Sequence, residues 1–289
     1  MAVNMKIYSK NLMFCCSENN DLYSVLKDAG YSFNRNSNIK ALIDESENNS
    51  GILVLSDYYP RQTVVIDQDI LNLAKEKNLR LYIEYPLSME GLNFGEPSHT
   101  KYERLVVCSG FFGSKLEQDT IMMLNGCWYL PVPGEKHLEV NSHLCMAKAA
   151  GYNKIVFGLP ESKFPILFQK DNNENILIAS SCLSNFVTAR YAPYLCWKNL
   201  WESILHWVSG NRDQFDLRWE PTAGPTYKKD DVFTKDNEKV SLNRSFNWFR
   251  NYAVYSIDPK KGAIEGFESG IDYSGRQMIR NVTRGDCVS

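Results

Sequence analysis

With 289 residues, 44% of them apolar and 23% charged, and a net charge of −2, the chain has the make-up of a globular protein of one large or two smaller domains. The near-neutral balance removes the electrostatic ground for nucleic acid or an anionic membrane as partner, and no apolar run approaches membrane-spanning length. Eight cysteines without a C-x-x-C pair argue against a zinc ribbon, a thioredoxin-like centre or a disulfide framework, and their apolar neighbours suit buried free thiols. No basic-then-apolar leader pattern opens the sequence, so cytoplasm and periplasm are both compatible.

In chain order, residues 7–16 read as a first strand, and 21–29 (DLYSVLKDA) as a short helix stopped by Gly30. A weaker helix follows over 36–48. The clearest buried strand, GILVL, occupies 51–55, a helix with Ile70, Leu71 and Ala74 inward covers 67–77, and the next strand covers 79–84. This alternation predicts parallel βαβ units in a three-layer α/β domain. A Pro/Gly-rich stretch at 85–102 precedes a strand at 104–108. Residues 116–123 fit a helix or a strand, 127–132 a strand, and 143–150 a short helix ending at Gly151.

The chain is organised around 151–208. Three short apolar runs bounded by turn residues (155–157, 164–168 and 176–179) read as strands. Pro193 then opens a long helix on which Trp197, Leu200, Trp201, Ile204, Leu205 and Val208 form one apolar stripe, ended by Ser209-Gly210. Residues 210–243, rich in Asp, Lys, Thr, Pro and Gly, read as a linker or extended arm lying against something through Phe215, Trp219 and Phe233. A new helix is expected from Asn243.

Three groups of residues carry candidate chemistry. Cys108 follows a strand and precedes Ser109-Gly110, where an α/β sheet displays nucleophiles, and His137-Leu138-Glu139 offers a base and its orienter for a Cys-dependent amidase or amidotransferase. Such a nucleophile has glycines on both sides, and here Leu105-Val106-Val107 precede Cys108 instead. Ser184-Asn185-Phe186 and 188–193 form a polar, aromatic loop ahead of the long helix; Arg190 there is expected to pair with a carboxylate. The tail places Glu265, Arg276, Gln277, Arg284 and Asp286 among glycines, where arginines can fork a sugar carboxylate and carboxylates can do acid–base work. The histidines have no metal-ligand spacing, so neither metal nor cofactor is expected.

The segments AGYNKIVFGLPE, FPILFQ, ASSCLSNFVTARYAP and WKNLWESILHWV resemble the N-terminal half of bacterial polysaccharide-utilisation proteins. These proteins join a glutamine-amidotransferase-like α/β domain to a six-hairpin α-toroid of glycoside-hydrolase type, similar to a β-glucuronidase family. Asn247-Trp248-Phe249, Ile264-Glu265-Gly266, Gly275-Arg276-Gln277 and Arg284-Gly285-Asp286-Cys287 resemble the toroid's opening. The resemblance implies a flavodoxin-like, class I amidotransferase-like α/β domain over 1–209 without catalytic function, an arm over 210–243, and the first helical hairpin of an (α/α) toroid over 244–289. It further implies a carbohydrate partner, a uronic-acid-containing or other complex glycan, with catalysis by Glu265 and Asp286 in a toroid mostly missing from this chain, and with Arg276, Gln277 and Arg284 orienting substrate. A second reading makes the chain a non-catalytic binding module or a homo-oligomer surface.

Overall fold

The computed structural model describes residues 7–89, 91–133, 140–170, 173–188, 190–219, 232, 234–248, 254–256, 265–267 and 287–288. Residues 1–186 with 190–219 form one compact unit, and 187–189 with 220–289 form another.

The first unit begins with β1 (Ile7–Cys15), α1 (Asp21–Asp28), β2 (Tyr31–Arg35), α2 (Ile39–Glu45), β3 (Gly51–Val54), α3 (Gln68–Glu76) and β4 (Arg80–Glu84). The first two helices start where the sequence supplies caps. The Asn20 side chain accepts from the Leu22 and Tyr23 amides, and Asn38 accepts from those of Lys40 and Ala41. Three short strands follow, β5 (Ser88–Met89), β6 (Leu92–Asn93) and β7 (Ser98–His99). Next come β8 (Arg104–Val107), a 3-10 turn at Gly110–Lys115, β9 (Ile121–Leu124), β10 (Trp128–Tyr129) and β11 (Val140–Ala147). The unit continues through β12 (Lys163–Lys170), β13 (Asn173–Ala179), β14 (Tyr191–Ala192) and α4 (Tyr194–Val208).

Ten strands form one sheet in the order β14-β9-β8-β11-β12-β13-β4-β3-β1-β2. The half β2-β1-β3-β4-β13 is parallel, and from β13 outward every pairing in the sheet is antiparallel. Side-chain alternation divides the parallel half into two cores. Met13, Cys15, Ile52, Val54, Leu81 and Ile83 pack under α2 and α3. On the other face Phe14 meets Tyr23 of α1 at 5.6 Å between ring centroids, and Tyr82 meets Trp201 of α4 at 5.3 Å. The six stripe residues of α4 are all fully buried, as their spacing predicts. The result is a three-layer α/β arrangement extended by an antiparallel wing.

Two local expectations change. Residues 143–150 lie largely in β11, not in a helix, because β8 and β12 pair with both sides of the chain there. Residues 155–157 are not a core strand: Val156 and Phe157 are 64% and 88% exposed. The compact unit also continues past α4. Phe215 packs on Tyr31 and Phe33, Leu217 is fully buried, and Trp219 sits 4.6 Å from Phe186 and 4.3 Å from Tyr194. Lys198 bonds to Glu202 and Asp216, pinning this segment to α4.

The described residues of the second unit form α5 (Lys235–Trp248) and an antiparallel sheet of β15 (Val254–Ser256), β16 (Glu265–Phe267) and β17 (Cys287–Val288). Where the resemblance implies a second helix of a hairpin, the described residues are strands. Glycines at 262, 266, 270 and 275 work against a helix there.

Candidate ligand-binding site

A cavity of about 340 Å³ opens at the N-terminal edge of β4 and β13, lined by Arg80, Phe111, Asn141, Gln169, Lys170, Asn175 and Trp207. Arg80 is the first residue of β4, and its Nη1 donates to the Trp207 carbonyl at 2.6 Å. Its guanidinium also lies 5.3 Å from the centre of the Trp207 ring. Burial first, and then the charge of nearby Arg212, pull the Arg80 pKa below its ordinary value. The guanidinium is therefore held in a place where an anion relieves its electrostatic cost.

A hydrogen-bonded string fixes the opposite wall. Gln169 Oε1 lies 2.9 Å from His143 Nε2 and, as an acceptor, places the imidazole proton there. His143 Nδ1 is then the acceptor for Ser109 Oγ at 2.8 Å, and that hydroxyl oxygen accepts from the Phe111 amide at 3.2 Å. Phe111 stacks on the imidazole at 4.3 Å, 29° from parallel. Burial lowers the His143 pKa, opposed by the bond to Gln169. His143 thus holds two lining residues in position from behind. Asn175 is anchored by donating to Asn78 Oδ1 at 2.8 Å.

The cavity combines three amide side chains, each both donor and acceptor, with two cations and two aromatic rings. Its volume is near the lower end, about 300 Å³, of small-molecule sites. Amides match vicinal hydroxyls, and a guanidinium matches a carboxylate bidentately. None of the lining residues is a carboxylate or a thiol, and the amides and cations suit a hydroxyl-rich anion.

The sequence-predicted residues fall elsewhere. Cys108 follows β8, but its thiol bonds to the thiol of Cys145 and to the Val106 carbonyl at 3.4 Å. The Cys145 contact is the main cause of a lowered Cys108 pKa, while Cys145 itself is raised. The imidazole beside Cys108 in the sheet, His143, uses both nitrogens on Ser109 and Gln169. His137 and Glu139 lie outside the described residues. Glu265 falls in β16, and Arg276, Gln277, Arg284 and Asp286 lie outside the described residues. Arg190 donates to the Gly126 carbonyl at 2.5 Å. Among the described residues no group of His, Cys, Asp and Glu can hold a metal ion, and no helix is long and apolar enough to cross a membrane.

A buried carboxylate lies at the other end of β4. Glu84 Oε1 accepts from the Leu183 and Ser184 amides at 2.8 and 2.9 Å and from the Tyr82 hydroxyl at 3.0 Å. Oε2 accepts from the Ser56 amide at 3.1 Å and from Ser184 Oγ at 2.7 Å. Asn20 Nδ2 donates to the same Ser184 oxygen at 2.8 Å. Burial raises the Glu84 pKa, and the bonds from the Ser56 amide, the Ser184 hydroxyl, the Leu183 amide and the Tyr82 hydroxyl oppose the rise. The polar loop that the sequence marks at Ser184-Asn185 is thereby tied to β4 and to the loops that follow β1 and β3.

Compared with protein families and with curated proteins, the sequence matches none. Among solved structures the chain is similar to Agd3, described as a novel carbohydrate deacetylase. The two are 12% identical, with a TM-score of 0.44 over 70% of this chain and 33% of that one. The chain thus spans about a third of that protein's length.

Proposed function

We propose that the first unit is a non-catalytic module that binds an acidic sugar within a glycan-processing protein. The carrying observation is the convergence of Arg80 and Lys170 with Asn141, Gln169 and Asn175 around one sugar-sized cavity. A uronic acid meets both halves of that chemistry: its carboxylate takes the Arg80 fork and its hydroxyls take the amides. Trp207 holds the guanidinium, and His143 holds Gln169 and Phe111. The sequence resemblance to polysaccharide-utilisation proteins supports the same substrate class. The strand order β2-β1-β3-β4-β13 supports assigning the unit to the flavodoxin-like, amidotransferase-like kind.

The test is calorimetric titration with methyl β-D-glucuronide beside methyl β-D-glucoside. Saturable binding of the glucuronide, at least about tenfold tighter than the glucoside, is expected, because a charge-assisted bond contributes about 1.5–3 kcal/mol. Arg80→Ala is expected to remove that preference, and Lys170→Ala to reduce it. Equal affinities, or no binding, overturn the reading.

For the second unit, we propose that glycosidic hydrolysis uses Glu265 and Asp286 as the paired carboxylates, with Arg276, Gln277 and Arg284 orienting substrate. A protein that joins this unit to a complete toroid is expected to lose at least about a hundredfold in turnover of a uronic-acid glycoside on changing either carboxylate to Ala. Retained turnover in the Glu265→Ala, Asp286→Ala double variant sinks the assignment.

A further inference from the structure

At the opposite edge of the parallel sheet, we propose a second binding site, a crevice between the carboxyl ends of β1 and β3 built for a small organic cation. The topology opens it. From β1 the chain moves outward to β2, and from β3 it moves the other way to β4, so the loops that follow β1 and β3 part from one another. Between them lies a cavity of about 190 Å³. Its apolar wall is made by Ile39, Val54 and Val64, and the Val64 amide donates a hydrogen bond to the Tyr85 carbonyl at 2.8 Å, which fixes it.

Asp57 is the single charged residue of the lining. One of its oxygens accepts from the Ser17 amide at 2.8 Å, and it has no ion-pair partner among the described residues. Arg35, whose charge acts on the adjacent Cys16, is committed to the Cys16 carbonyl and to Glu18. Ser56, also in the lining and 1% exposed, has a hydroxyl without a hydrogen-bond partner among the described residues. Cys15 and Cys16 flank Asp57 but remain neutral thiols: burial, and then Asp57 itself, push Cys15 up to about 11 and raise Cys16 as well. The crevice therefore presents one uncompensated negative charge, an unsatisfied hydroxyl and an apolar wall.

That combination selects a primary ammonium on a short branched alkyl body. The volume falls short of the lower limit of about 300 Å³ for drug-sized ligands, which keeps the body small. The ammonium supplies three donors and a charge to Asp57, and the body covers Val54 and Val64. This site stands apart from the acidic-sugar cavity, so either can fail without the other.

The experiment titrates the full chain, labelled with nitrogen-15, with isoamylamine hydrochloride, and with isoamyl alcohol as the uncharged control. Saturable amide shifts are expected from residues 15–17, 37–39 and 54–65, with affinity for the amine about tenfold above that for the alcohol. Asp57→Asn keeps an oxygen for the Ser17 amide and lies on the surface, so the fold is preserved; it is expected to bring the amine down to the level of the alcohol. Three results overturn the proposal: equal affinity of the two probes, no saturable shift into the tens of millimolar, or an Asp57→Asn chain that still prefers the amine.

Discussion

Glu84→Ala is expected to lower the stability of the first unit by about 3–5 kcal/mol. The magnitude follows from what the truncation strands. The Ser56, Leu183 and Ser184 amides and the Tyr82 hydroxyl all point at this one carboxylate, in a place where the carboxylate is fully buried. An alanine leaves those donors without acceptor and too deep for ready access to water. Glu84→Gln is the informative companion. It keeps the volume but presents an NH₂ group to donors on one side, so a smaller loss of about 1–3 kcal/mol is expected. Urea unfolding followed by tryptophan fluorescence measures both, since Trp201 packs on Tyr82, two residues from Glu84. An unchanged midpoint for the alanine variant would mean that the loops after β3 and β13 find other acceptors, and that the carboxylate does not organise them.

The second large effect is Gly51→Ala, at about 3 kcal/mol, the upper end for overpacking. A Cβ on Gly51 would lie 2.0 Å from the Val208 carbonyl oxygen and 2.5 Å from its Cγ1. The obstacle is backbone, which cannot swing aside as a flexible side chain can. The end of α4 must then lift from the start of β3. Since Trp207 precedes Val208 and holds Arg80, glucuronide binding should weaken along with stability. Gly110→Ala is the control: nothing lies within 4 Å of its Cβ position, and a neutral result is expected. If Gly51→Ala matches that control in thermal unfolding, the close approach of α4 to β3 does not carry the packing ascribed to it.

What the sequence reveals and hides follows from the range over which each feature is encoded. The α4 stripe is local, because one turn of helix brings residues three and four apart onto one face, and all six of its members are buried. The caps Asn20 and Asn38 are equally local. By contrast Leu144-Cys145-Met146-Ala147 contains good helix formers, and its extended form is imposed by β8 and β12, distant in sequence on either side. Phe157 shows the converse: its short apolar run matches a strand in pattern, yet no neighbouring strand takes it in. The cavity was invisible for the same reason. Arg80, Phe111, Asn141, Gln169 and Trp207 come from well-separated elements, and no spacing rule joins them. The polar loop at Ser184 was legible as unusual, but its partner, Glu84, lies 100 residues earlier.

The segment after α4 defines what can be transplanted. Phe215 closes the aromatic group of Tyr31 and Phe33, Leu217 bonds to Glu202 through its amide, and Lys198 is clamped between Glu202 and Asp216. A gene fusion or natural recombination that cuts directly behind the last helix would leave this seam open, with aromatic surface bare and a buried acid short of a donor. The piece that evolution or an engineer can move whole runs on to Trp219.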